Sequence, residues 1–183
     1  MEPLEFRDAT AWDTWLETHH DDRSEAWLRI AKKRSPLTLV TIGDALDVAL
    51  CHGWIDGQRT AYDEGSFLQR YSPRRPTSSW SKINVDKAEA LIDAGRMHPA
   101  GLAAIAAAKA DGRWDAAYTS QRSAAVPDEL ASALRANASA ETAFGRLDRS
   151  SRYALMLPLL KARTDATRAR AITRIIDRLT TPP

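Results

Sequence analysis

The sequence has 183 residues, a formal net charge of +2 and a single cysteine. Its 44% of hydrophobic and 27% of charged residues are typical of a folded globular protein and argue against wholesale disorder. The lone Cys51 excludes an internal disulfide and any metal site built from several cysteines. No signal-peptide pattern and no apolar run of membrane-spanning length is present, so we expect a cytoplasmic protein with no membrane span.

The charges are unevenly distributed along the chain. Residues 1–25 contain eight acidic and two basic residues, whereas residues 70–87 contain five basic residues and one acidic residue. A second basic zone, residues 161–178, has six basic and two acidic residues. The sequence leaves open whether the two basic zones meet in space, and the mild net charge does not by itself indicate nucleic-acid binding.

The first third of the chain predicts two helices separated by a strand. A capping pattern from Thr10 to Asp13 precedes apolar residues at helical spacing, which indicates an amphipathic first helix. The alternating segment 26–33 is typical of a strand. A second helix is predicted from Thr41, with Gly53 just beyond its end.

A β-hairpin is predicted next. Trp54–Tyr62 and Ser66–Tyr71 flank Asp63-Glu64-Gly65, which suits a three-residue loop with glycine in the left-handed position.

The register that follows from this loop pairs Gln58 with Arg70. Side chains alternate across a strand, so Trp54, Asp56 and Arg70 would share one sheet face, with Arg70 within reach of Asp56. We expect either a structural ion pair there or an aspartate that orients a ligand-binding arginine.

The rest of the chain is predicted to be helical. Asn84 is placed to cap one helix, Pro99 begins another that stops at Gly112, and Thr164 begins the last.

These elements predict an α+β fold: a small antiparallel sheet with a β-hairpin packed by helices, followed by an all-helical C-terminal part. The segment 112–127 is the best candidate linker. We therefore expect an α+β domain at residues 1–112 and a helical domain or subdomain at residues 113–183.

The segment 71–84, YSPRRPTSSWSKIN, is the candidate binding site. Arg74 and Arg75 lie between Pro73 and Pro76, which restrict the backbone and reduce the entropy lost on holding an arginine. The segment leads into a helix N-terminus, where backbone N–H groups favour an anion. The predicted ligand-binding residues are Trp54, Asp56, Arg70, Arg74, Arg75, Trp80, Ser81 and Asn84.

Each of these residues also has an ordinary structural role. Ser81 and Asn84 suit a helix cap, and Trp54 and Trp80 suit either the walls of a pocket or the core.

No catalytic motif is present: the sequence lacks a nucleophile elbow, a P-loop and a dinucleotide fingerprint. His19, His20, His52 and His98 lack metal-ligand spacing, so we predict no metal ion and no cofactor. Asp56 and His52 are the residues that would serve as a general base, although His52 falls on the buried stripe of its helix, where a core histidine is the commoner reading.

Three blocks resemble the YdeI/OmpD-associated family, whose members are also labelled bacteriocin-protection proteins. The blocks are ALCHGWIDG at 49–57, PRRPTSSWSKIN at 73–84 and GRMHPAG at 95–101. The family's closing block is echoed at 162–172, with Arg163 where lysine is usual. The resemblance runs from about residue 6 to residue 179. It implies a small bacterial protein linked to bacteriocin resistance or envelope stress, with no catalytic activity to carry over.

We therefore predict a cytoplasmic protein of this type that binds a small anionic ligand. One alternative is an enzyme for a phosphorylated or carboxylated substrate with Asp56 or His52 as base. Another is a protein or polyanion interaction module that uses the basic face from Arg168 to Arg178. That face lacks a groove-reading motif, so nucleic acid is not the expected partner. The sequence does not indicate an oligomeric state.

Overall fold

The computed structural model describes residues 3–181, which divide into two compact units. Of the described residues, the first unit comprises 3–78 and 84–115, and the second comprises 79–83 and 116–181. The strands are β1 (Ala26–Ala31), β2 (Trp54–Ala61) and β3 (Ser66–Pro73). The helices are α1 (Ala9–His19), α2 (Ile42–Cys51), α3 (Lys82–Asp93), α4 (Pro99–Ala110), α5 (Asp128–Arg135), α6 (Ala138–Arg146), α7 (Arg149–Leu160) and α8 (Asp165–Thr180).

The α+β prediction is confirmed. The strands form one antiparallel sheet in the order β1-β3-β2, and the C-terminal part is helical. No helix among residues 3–181 is both long and apolar enough to cross a membrane.

The core of the first unit lies between the sheet and the first two helices. Leu28 and Ile30 on β1 are fully buried, as are Trp12 and Leu16 on α1. Burying a side chain of this size stabilises a fold by about 1.5–3 kcal/mol. The Trp12 indole N–H also donates to the carbonyl oxygen of Ala45 at 3.1 Å, which fixes α1 against α2.

The predicted hairpin forms, but part of its register is wrong. Thr60 faces Leu68, as the register that pairs Gln58 with Arg70 requires, whereas a β-bulge between Asp56 and Arg59 places Asp56 opposite Tyr71. One extra residue on a strand reverses the face of every side chain before it.

The bulge separates two predicted neighbours. Asp56 shares the core face of the sheet with Trp54 and Tyr71, while Arg70 lies on the other face, opposite Trp27 of β1. The expected common face for Trp54, Asp56 and Arg70 therefore does not form.

The second unit has its own core, built from one face of each of its four helices. The final helix begins at Asp165, next to the predicted start at Thr164. Thr164 is its N-cap: the Thr164 hydroxyl accepts from the backbone N–H of Thr167, and the Thr167 side chain accepts from Thr164 N–H. The buried residues are Leu130, Leu134, Ala140, Phe144, Met156, Leu159, Ala171 and Ile175.

The first turn of α4 packs against the end of α2 at a distance that only glycine permits. A Cβ atom added to Gly101 would lie 2.2 Å from the backbone oxygen of Cys51. The backbone N–H of His98 donates a hydrogen bond of 3.1 Å to the same oxygen, which stabilises the close approach.

Gly101→Ala should therefore destabilise the protein by about 1–3 kcal/mol, the usual cost of overpacking a close contact. The measurement is the free energy of unfolding in urea. Gly43→Ala is the matched control, because Gly43 also lies in the first turn of a helix but its added Cβ would meet nothing closer than 3.8 Å. Equal stabilities for the two variants would contradict the tight contact.

Candidate functional site

Arg70 is paired with a residue that the sequence did not suggest. Its Nη1 donates to Glu25 Oε2 at 3.2 Å, and not to Asp56 as expected, because the bulge puts the two on opposite faces. A Cβ added to Gly57 would lie 3.2 Å from Arg70 Nε, so the arginine side chain lies across this glycine. Arg70 is therefore part of an ion pair on the outer face of the sheet.

The proline-bracketed arginines lie in a hydrogen-bonded connector. The backbone N–H of Arg74 donates to the oxygen of Gly53 at 2.9 Å, and that of Arg75 donates to Ser78 Oγ at 3.0 Å. Burial raises the pKa of the nearby Asp56 carboxyl, and the positive charge of Arg74 acts in the opposite direction. The segment is thus fixed by its backbone, with Arg75 exposed and Arg74 half-buried.

Both candidate tryptophans are buried. Trp54 is 1% exposed and donates its indole N–H to the oxygen of His20 at 3.2 Å, with its ring edge-on to Trp12. Trp80 is 2% exposed and belongs to the second unit, as does Ser81. Of the two roles expected for Trp54 and Trp80, pocket wall or core, both rings therefore occupy core positions.

The expected cap at Asn84 is wrong. Helix α3 begins at Lys82, so Ser81 precedes the helix and Asn84 lies in its first turn.

The second unit contains an open groove of about 560 Å³ that the sequence did not reveal. Its lining combines two arginines with hydroxyl and amide groups and includes no carboxylate among the described residues. These residues are Ser81, Ile83, Tyr118, Ser120, Gln121, Arg122, Arg149 and Tyr153.

The groove's arginine on α7 is held by the backbone. Arg149 Nε donates to the oxygen of Gln121 at 3.2 Å, and its Nη2 donates to the oxygen of Arg122. On the same helix, Tyr153 donates its hydroxyl hydrogen to the oxygen of Thr119 at 3.0 Å. These contacts fix the loop 119–122 against α7.

Arg168, at the start of the predicted polyanion-binding face, is engaged within its own unit. Its Nε donates to Glu129 Oε1 at 2.7 Å, and its Nη1 donates to the oxygen of Ala162 at 3.2 Å. One of the basic groups proposed for a polyanion therefore joins α8 to α5.

In the first unit, three side chains that are remote in the sequence converge. The carboxylate oxygen Oδ1 of Asp13 lies 2.8 Å from His52 Nε2 and 3.4 Å from His98 Nε2. The two imidazole rings stack with centroids 4.0 Å apart. We call Asp13, His52 and His98 the Asp-His-His cluster.

Two helix ends and the body of α1 place these three side chains. His52 caps the C-terminus of α2 and His98 caps the N-terminus of α4, while Asp13 lies in the first half of α1. Gly53 follows His52 with a φ of +73°, which lets the chain turn sharply from α2 into β2. The close packing of α4 on α2 then stacks one histidine on the other.

The electrostatics of the cluster favour a neutral imidazole. Burial lowers the pKa of His52, and the neighbouring His98 and His20 lower it further, while the hydrogen bond with Asp13 raises it. A buried neutral imidazole can accept a proton or bind a metal ion.

Sequence reasoning named His52 but missed both of its partners. His98 lacks metal-ligand spacing and Asp13 fits a capping pattern, so the sequence predicts no contact of either residue with His52. The available signal was that a histidine and a glycine occur together in two of the quoted blocks, ALCHGWIDG and GRMHPAG.

Cys51 lies beside this cluster but is chemically quiet. Its side chain is buried, which raises the pKa of the thiol to about 11. The thiolate is the reactive form of cysteine, so little of it is present near neutral pH.

The folded protein should therefore fail to react with an aromatic disulfide reagent at pH 8 within minutes. One equivalent of thiol should react once the chain is unfolded in guanidinium, since the sequence has one cysteine. Absorbance of the released thiolate measures both, and rapid native reaction would contradict the burial.

Family models match two separate parts of the chain. Residues 4–104 match the model described as Domain of unknown function (DUF8412), and residues 123–181 match the one described as Bacteriocin-protection, YdeI or OmpD-Associated. The second match confirms the predicted resemblance, but it covers the C-terminal helices and none of the three N-terminal blocks.

Comparisons with the curated proteins and with the solved structures gave no match. The first family model covers more than half of the chain. The chain therefore belongs to the family described as Domain of unknown function (DUF8412), and its residues 123–181 are similar to the family described as Bacteriocin-protection, YdeI or OmpD-Associated.

Proposed function

We propose that this chain is a cytoplasmic bacterial protein that binds a small anionic ligand and contributes to bacteriocin protection or envelope stress resistance. The observation that carries the ligand is the groove of the second unit, where arginines and hydroxyls line the surface. The match of residues 123–181 to the bacteriocin-protection model supports the biological role. The same region supplies Arg149 and Tyr153 to the groove.

The chemistry of the lining suits a carboxylate or a phosphate. A guanidinium carries five N–H groups in a planar fork that matches either anion. Two carbonyl oxygens of the loop 119–122 orient the Arg149 guanidinium before any ligand arrives. An arginine that is already ordered loses less side-chain entropy on binding than a mobile one.

Ser81 belongs both to this groove and to the ligand-binding residues predicted from the sequence. It is the member of the predicted binding set that lines the groove, and it lies directly before α3. The binding roles of Arg74 and Arg75 stay predictions, and the two sets of arginines can be separated by mutation.

Inorganic phosphate and succinate serve as probes of the groove. We expect either anion to raise the melting temperature in a concentration-dependent way, because a ligand that binds only the folded state stabilises it. Arg122→Ala and Arg149→Gln should each weaken binding about tenfold or more, the range for a lost hydrogen bond to a charged group.

Arg170→Ala is the matched control, since it removes the same charge from an exposed position on α8 that does not line the groove. Its response to the anions should equal that of the unmodified protein. A normal response in Arg149→Gln together with a lost response in the double variant Arg74→Ala/Arg75→Ala would move the site to the proline-bracketed segment. No response to either anion in the unmodified protein would contradict binding of these two anion classes.

A further inference from the structure

We propose that the Asp-His-His cluster binds a divalent transition-metal ion of the zinc class, with Asp13, His52 and His98 as its protein ligands. All three ligand atoms, one carboxylate oxygen and two imidazole nitrogens, lie within 4.8 Å of one another. Two histidines and one carboxylate form a recurrent set in metal sites that keep positions open for water or substrate.

The distances between the ligand atoms are close to those around a bound zinc ion, and the two imidazole rings, whose planes are 22° apart, must turn so that both nitrogens point at the ion. Zinc lies about 2.0–2.2 Å from nitrogen and oxygen ligands, which places tetrahedral ligand atoms roughly 3.3–3.6 Å apart. The separation between Asp13 Oδ1 and His98 Nε2 is 3.4 Å, and that between Asp13 Oδ1 and His52 Nε2 is 2.8 Å. The second pair must therefore open by about half an ångström when the ion binds.

The cluster is enclosed on one side and open on the other. The His52 side chain is 1% exposed, whereas those of Asp13 and His98 are 37% and 31% exposed. An ion can therefore enter from the surface and retain solvent-facing coordination positions. This exposure pattern differs from that of a closed structural site, in which the protein supplies all four ligands.

The ligand types select the class of metal. Imidazole nitrogen suits zinc, cobalt, nickel, copper and iron, while calcium and magnesium prefer sites made of oxygen atoms alone. The backbone also holds the ligands before binding, because the contact of Gly101 with Cys51 fixes the helix ends that carry His98 and His52.

Cobalt(II) is the probe, since its visible absorption reports on coordination. After treatment with a chelator, the full chain should bind one equivalent of Co²⁺ and develop the absorption bands of a four- or five-coordinate ion. Added Zn²⁺ should displace the Co²⁺ and remove these bands. Asp13→Asn and His98→Asn should each weaken binding at least tenfold, because even a lost outer-shell partner of a metal ligand has an effect of about 10–100-fold.

His98→Asn is the more informative variant. His98 is partly exposed and makes no side-chain hydrogen bond to its helix, and asparagine is a good N-cap residue, so the fold should persist. Circular dichroism and the melting temperature without metal check this.

His19→Asn is the matched control. Its ring stacks on Trp15 outside the cluster, and the variant should bind Co²⁺ as the unmodified protein does. Failure of the unmodified chain to bind Co²⁺ or Zn²⁺ stoichiometrically, or unchanged binding by a folded His98→Asn, would overturn the proposal and leave the cluster as a hydrogen-bonded structural contact.

Discussion

The contact between the first turn of α4 and the end of α2 is the constraint on which the arrangement of the first unit depends. A backbone oxygen, that of Cys51, receives the N–H of His98 and lies where a side chain at position 101 would otherwise be. Because both groups belong to the backbone, neither can rotate away. The contact brings together two sequence blocks, 49–57 and 95–101, that are separated by 37 residues, and it sets one histidine ring on another.

The tryptophan-rich core holds α1 against α2, the helix whose end makes this contact. Trp12 packs against Trp54 and Tyr71, and its indole N–H is bonded to the carbonyl of Ala45 in α2. Asp13 follows Trp12 directly in the sequence, so anchoring the indole also orients the neighbouring carboxylate towards His52. Trp12, which packs in the core, and Asp13, which contacts His52, thus lie in the same turn of α1.

Local sequence patterns predicted the helices and strands well, but they predicted poorly which side chains share a sheet face or meet in the fold. The alternation in β1, the break between the hairpin strands at Asp63 and the start of α8 at Thr164 each depend on a few adjacent residues, and the sequence predicted them. The left-handed backbone expected at Gly65 is wrong, because that glycine does not have a positive φ. The bulge before Arg59 adds one residue without altering the apolar pattern, so the sequence did not reveal which face Asp56 occupies. The Asp-His-His cluster is a long-range arrangement, and nothing in the spacing of its members indicates that they meet.

Two glycines beside these features differ in what faces them, and this difference bears on how the sequence can vary among relatives. The space next to Gly57 is filled by the end of the flexible Arg70 side chain, so a larger residue at 57 can be accommodated if residue 70 shortens or turns aside. The space next to Gly101 is filled by a main-chain atom, which no exchange at position 51 removes. Positions 57 and 70 should therefore covary in an alignment, whereas position 101 should be invariant without a covarying partner.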